Sequence, residues 1–214
     1  MIIGDLVKQH SRIIATKLET LVDTEDARLH MPECSASHFK LFVSFIYTGK
    51  IYTATDKENA TEWRLLCELW ILGQALESTT LKDAVTDAMI ERGHMHSTYH
   101  SDAYTELAKH LQTTQQTRKG VGKFLVGTAV CRRAHTIYTD ERSTSLECLN
   151  FYGEVLRGLN RIRCGIECEW DVLRQTDTGA NCVYHEHCTG GVCHKKMFPA
   201  ARDSLRQPIG AMSR

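Results

Sequence analysis

The chain is 214 residues long with 42% hydrophobic residues, enough to bury a sizeable core and to form one or two domains. Twenty-six basic residues balance 26 acidic ones, so no global field marks a nucleic-acid or membrane-surface binder. Three prolines point to a mainly helical protein, and no run of about 18 apolar residues offers a membrane span. Met1 to Lys8 is too short and too soon charged for a signal peptide. An intracellular, reducing compartment, cytoplasmic or nuclear, is therefore expected, with the nine cysteines as thiols or metal ligands.

Residues 5–22 read as one helix, since Leu6, Ile14, Leu18 and Leu21 lie close to one face and neither proline nor glycine interrupts them. Arg28 to Met31 alternate polar and apolar as a short strand, which Pro32 ends because it has no amide proton to donate. Ser35 or Ser37 can then cap a helix whose buried face is Phe39, Phe42, Val43 and Ile46, with Gly49 as its left-handed stop. Tyr52 to Glu62 is polar and aperiodic, hence an exposed loop.

Trp63 to Leu76 is apolar on most sides and belongs in the interior, so core packing is preferred there over a partner groove. Thr79 or Thr80 caps the next helix, with Leu81, Ala84, Val85, Ala88 and Met89 on its buried stripe. Gly93 to His100 breaks the periodicity, and its histidines 94, 96 and 100 read as a solvated loop. Ser101 or Asp102 caps a helix through Leu111, followed by a polar connection from Gln112 to Lys119. Val121, Phe124, Leu125 and Thr128 mark another helix, and Leu146, Leu149, Tyr152, Leu156 and Leu159 one more.

Several of these residues carry a family resemblance. The apolar-Pro-Glu end at 31–33, followed by Phe39-x-x-Phe42-Val-x-Phe-Ile-Tyr-Thr-Gly-Lys-Ile51, resembles the central segment of the BTB/POZ domain in its fungal form. His10-Ser11 before Ile13-Ile14, and the Leu69-Trp-Ile-Leu-Gly73 register, are similar to further parts of that family. The resemblance implies a partial BTB/POZ-like α/β core at 1–92 and a helical extension at 101–163. A Cys/His-rich segment at 164–194 and a disordered tail at 195–214 complete the expected organisation. The strand, helix and strand pair that normally precede His10-Ser11 are not in this sequence. The family's homodimer, built on its first helix and an exchanged first strand, is therefore not expected, and a sheet edge should be left unpaired.

The most concentrated chemistry is Cys182-Val-Tyr-His185-Glu-His187-Cys188-Thr-Gly-Gly-Val-Cys193-His194. Cys182, His185, His187 and Cys193 could hold a structural zinc, since thiolate and imidazole suit its tetrahedral site and Gly190-Gly191 would let the chain fold back. The spacing matches no standard finger, and a packed or exposed thiol-histidine tail is the preferred alternative. The family resemblance extends to Cys182, Tyr184, His185, His187 and Cys193 without implying a ligand set. Cys164-x3-Cys168 sits one helical turn apart and, near Trp170, Val172 and Leu173, reads as packing.

Gly120-Val-Gly-Lys123 is no phosphate loop, since Lys123 is followed by Phe124 and preceded by polar residues; it reads as a helix start. Neither a Gly-x-Ser-x-Gly elbow nor a His-Glu-x-x-His pair occurs, so no enzymatic activity, catalytic residue or cofactor is expected. Arg132-Arg133 and the tail basics Lys195, Lys196, Arg202, Arg206 and Arg214 lack interleaved aromatics and are read as solvated, not as a nucleic-acid site. The function implied by the resemblance is a non-catalytic protein-interaction module, a scaffold or adaptor. A cullin-type ubiquitin-ligase adaptor and a zinc-binding regulator or enzyme centred on 182–194 stand as alternatives.

Overall fold

A computed structural model describes residues 3–20, 34–51, 60–95, 101–116, 120–131, 149–163 and 184–186. Eight helices account for most of them: α1 (Ile3–His10), α2 (Arg12–Thr20), α3 (Ala36–Thr48), α4 (Ala60–Ala75), α5 (Thr79–Met95), α6 (Ser101–Thr113), α7 (Gly120–Cys131) and α8 (Leu149–Arg163). The protein is mainly helical, and there is no strand among the described residues. The expected strand at 28–31 lies outside them. No described helix is long and apolar enough to cross a membrane.

The first helix is divided, contrary to the continuous one expected over 5–22. Ser11 is the reason. Its backbone N–H still donates to the Val7 carbonyl at 3.1 Å, while its hydroxyl accepts from the Ile14 amide at 3.1 Å and so caps α2. The same hydroxyl donates to the Leu76 carbonyl at 2.7 Å, tying the α1–α2 corner to the end of α4. His10 completes the junction. Its Nδ1 lies 3.2 Å from Thr80 Oγ1, and its ring meets Phe45 edge-on at 6.2 Å.

Helix α3 has the expected ends. Ser35, extended at φ −68° and ψ 149°, accepts from the His38 amide, and Gly49 closes the helix at φ 69° with its N–H on the Phe45 carbonyl. The buried face is turned slightly from the expected one: Phe42, Phe45 and Ile46 are enclosed, whereas Phe39 and Val43 are half-buried. Each enclosed side chain contributes about 1.5–3 kcal/mol. Phe45 belongs to the buried set because α1 and α4 both pack against this helix, which widens the covered arc.

Helix α4 is interior, as its all-round hydrophobicity requires, with Trp63, Leu66, Cys67, Leu69, Trp70, Leu72 and the following Leu76 buried. It begins earlier than expected, at Ala60, and Glu62 is enclosed instead of standing in a loop. Arg92 near the end of α5 donates to Glu62 Oε1 from Nε at 2.8 Å and from Nη2 at 2.6 Å, so the pair pins the two helices together at one end. At the other end the chain turns through Glu77 at φ 50°, with the Ser78 N–H on the Gly73 carbonyl at 2.8 Å. Ser78, and neither threonine after it, caps α5 by accepting from the Leu81 amide at 3.3 Å.

Helix α5 runs on to Met95, so Gly93 and His94 are helical and not part of a loop; His96 and His100 lie outside the described residues. Helix α6 continues past Leu111 to Thr113. The core is continuous from Val7 to Tyr184: α4 packs on α5 and α6, α5 on α7, and α7 on α6 and α8. Val121, Phe124, Leu125 and Thr128 are all buried on α7 as expected. Helix α8 is turned only part of the way from the expected face, since Tyr152 and Leu159 are partly buried against the core. Phe151 and Val155 are buried, Leu149 and Leu156 are more than half exposed, and Leu146 is outside the described residues.

Two outcomes follow from the α1–α2 corner and from the buried His10 and half-buried His110. Ser11→Ala removes a cap and leaves the Leu76 carbonyl enclosed without that donor, so urea unfolding should show a loss of about 1–3 kcal/mol. Burial also pushes the His10 and His110 rings below the usual 6.5. Their contribution is therefore complete above that value and is lost as the pH falls through the window beneath it. The melting temperature should drop more between pH 7.5 and 5.5 in the native chain than in a His10→Gln/His110→Gln variant, and equal drops would refute the assignment.

Candidate functional site

The densest buried polar chemistry lies where the described C-terminal residues meet α5. Lys82, Asp83, Thr86 and Asp87 fall at spacings of one, four and five residues, which sets them along one flank of the helix beside its apolar stripe. Lys82, Asp83 and Thr86 are all buried. Thr86 donates to the Lys82 carbonyl at 2.8 Å, a local bond that leaves the helix intact. The remaining polar groups of this flank face Tyr184, His185 and Glu186, about 100 positions further along the chain.

Each of these three residues makes its own contact. The Tyr184 ring is buried and packs edge-on against Phe124 of α7, with centroids 5.9 Å apart. His185 Nε2 sits 3.0 Å from Asp87 Oδ1, with side-chain exposures of 4% and 12% that leave little room for solvent. The Glu186 backbone N–H donates to Asp83 Oδ1 at 2.6 Å, and its carboxylate forms an ion pair with the Lys82 ammonium. Lys82 also donates to Gln74 Oε1 at 2.8 Å and lies 5.5 Å above the Trp70 ring, so α4 supplies the floor of the site.

The start of α7 supplies the remaining wall. Gly120 has φ 46°, and a Cβ built on it would come within 2.6 Å of Glu186 Cγ and 2.8 Å of Oε1. A side chain there would be strained by its backbone and would collide with the carboxylate. Placed against the first turn of α7, that carboxylate also meets the positive end of the helix dipole. Gly120-Val-Gly-Lys123 is thus the helix start expected of it, with a glycine whose space admits a glutamate.

His185 is the one member of the set Cys182, His185, His187 and Cys193 among the described residues, and its Nε2 is engaged by Asp87. The other three lie outside them, as do Cys164 and Cys168. Among the described residues there is no group of three or more His, Cys, Asp or Glu placed to hold a metal ion. Cys67 is enclosed in α4, and burial pushes its thiol up to about 12, so it is inert as a nucleophile. Comparison with protein-family models, curated proteins and solved structures finds no match for this chain.

What the cluster can do is hold a peptide. It contains one ammonium, three carboxylates and an imidazole, which pair with one another and with the Glu186 amide across two distant parts of the chain. A histidine-carboxylate pair can serve general-base chemistry, but this one is enclosed by the segment it anchors. Sequence periodicity singles out the apolar stripe of α5 and passes over Lys82, Asp83 and Asp87, which look like the solvated face of an amphipathic helix. Of the partners, Tyr184 and His185 stand out in the sequence, both in the family resemblance and His185 also as a candidate zinc ligand, while Glu186 does not.

Breaking the Lys82–Glu186 pair from one side leaves a buried charge, so Lys82→Met should cost about 3–5 kcal/mol. Adding Glu186→Leu should recover part of that loss. A double-mutant cycle by urea unfolding should give a coupling of about 0.5–3 kcal/mol, and strict additivity would show that the pair does not hold.

Proposed function

We propose that the chain is a non-catalytic protein-protein interaction module of the BTB/POZ kind, acting as a scaffold or adaptor. The observation that carries this reading is a meeting of the elements that bear the resemblance. His10-Ser11, the Phe-rich helix ending in Gly49 and the Leu69–Gly73 helix stand far apart in sequence, yet they pack at one junction. The Ser11 hydroxyl bonds to Leu76, and the His10 ring lies between Thr80 and Phe45. A module built on this junction presents helical surfaces to other proteins.

The described ionisable clusters support a binding role over a catalytic one. Glu62 and Arg92 hold α4 to α5, and the α5 cluster holds residues 184–186. Both spend their charge on internal pairing.

Affinity isolation of the tagged full-length chain after crosslinking in cells should yield a protein whose purified form gives a saturable complex by calorimetry. The N-terminal domain of a cullin is titrated in parallel. A complex with it would assign the adaptor branch, and its absence the scaffold branch. Failure of every crosslinked protein to form a saturable complex would end the interaction reading.

A further inference from the structure

We propose that the slot between α5 and the first turn of α7 is a recognition site for a tripeptide of aromatic–histidine–acidic chemistry. The chain fills it with its own Tyr184–Glu186, and a partner segment of the same chemistry takes it by displacing them. The proposal rests on the reading of the chain as an interaction module and names the kind of segment that such a module would read.

Four features make the slot a site and not a chance contact. First, three consecutive residues each enter a separate subsite: Tyr184 on Phe124, His185 on Asp87, and Glu186 on both Asp83 and Lys82. Side chains are read one by one while a backbone N–H is gripped between them, as in other modes of peptide recognition. Second, every wall comes from α4, α5 and α7, and the wall residues lie between 60 and 116 positions from the tripeptide residues, so proximity along the chain does not account for the fit.

Third, the key cation has neighbours besides its ligand. The Lys82 ammonium donates to Gln74 Oε1 at 2.8 Å and lies 5.5 Å from the Trp70 ring, so part of its environment is supplied by α4 and not by the carboxylate. Gly120 at φ 46° is shaped in the same sense, because any side chain there would fill the volume that the glutamate uses. Fourth, the internal ligand is not a perfect one. Glu186 Oε1 is enclosed with no hydrogen-bond partner among the described residues, a cost that a better-placed acidic group from another chain would avoid.

Competition is set by tethering. Residues 164–183 join α8 to the tripeptide, which gives the internal ligand a high effective concentration. A partner segment therefore binds measurably once the internal ligand is weakened.

The test uses a fluorescein-labelled octapeptide with the sequence of residues 181–188, both cysteines replaced by serine, and the full-length chain. Anisotropy should show saturable binding to a Tyr184→Ala/Glu186→Gln chain, at least tenfold weaker binding to the native chain, and a further loss of at least tenfold when Lys82→Met is added. Lack of binding to a Tyr184→Ala/Glu186→Gln chain with native circular dichroism would overturn the proposal, as would binding indifferent to Lys82→Met. Should that variant lose its helical signal, the native sequence is used with a protease site inserted after Gln175. After cleavage, excess octapeptide should release the C-terminal piece on a sizing column, and a piece that stays bound overturns the proposal. Because the octapeptide reads the slot directly, its failure is distinct from a failure to find any cellular protein partner.

Discussion

A charge taken out of water must be paired where it is buried, and the end of α5 that receives residues 184–186 is governed by that requirement. Lys82 lies at the crossing of α4, α5 and α7, with its ammonium enclosed over Trp70. An isolated ammonium there would be far too costly, and Gln74 alone offers only a neutral oxygen. The carboxylate that neutralises it comes from Glu186, brought back across the fold. Asp83 and Asp87, one and five positions on, then meet the amide of Glu186 and the ring of His185. One short segment thereby satisfies a whole flank of a central helix, and Tyr184 adds an aromatic contact to the core.

Both ends of the helix pair are held by related means. Glu62 and Arg92 close one end of α4 against α5, while His10 and Ser11 hold the turn at the other. Around that turn the chain passes through Glu77 in the left-handed region, at a cost of about 1 kcal/mol for a residue other than glycine. Three neighbouring interactions offset it: the Ser78 N–H on Gly73, the Ser78 cap on Leu81 and the Ser11 hydroxyl on Leu76. Rigid fixation at both ends is what allows the polar flank of α5 to stand pre-arranged between them.

Much of the fold is legible in the sequence wherever a local signal exists. Ser35, the apolar residues 42 and 46, and Gly49 specify α3 through spacing and end chemistry, all of which act within a few residues. The interior position of α4 follows from its hydrophobicity on every side, and Gly120 at a helix start follows from its neighbours. What the sequence hides is pairing at long range. Ser11 resembles an ordinary helical serine until Leu76 is placed beside it. Lys82, Asp83 and Asp87 resemble a solvated face until residues 184–186 cover them. His185 reads from sequence as part of a packed or exposed tail or as a candidate zinc ligand, and neither reading points to the carboxylate it meets 98 positions earlier. Glu77 and Gln115 follow helices α4 and α6 in left-handed conformations for which glycine is the usual sign, so the sequence places those stops within two residues without revealing how the backbone makes them.

Helix α8 shows the same limit in apolar form. Leu149, Tyr152, Leu156 and Leu159 share a helical face, and by residue size that face should be the buried one. The structure instead turns Phe151 and Val155 inward, with Gly158 next along the same row at spacings of four and three. A Cβ built on Gly158 would come within 2.7 Å of Val130 Cγ2, so the absence of a side chain is what lets α8 approach α7 closely. Close approach carries Phe151 and Val155 into the core at that contact, with Tyr152 and Leu159 partly buried against it and Leu149 and Leu156 left outward. Periodicity finds two possible stripes on such a helix, and the choice between them is made by the shape of α7, to which no feature within 149–163 refers.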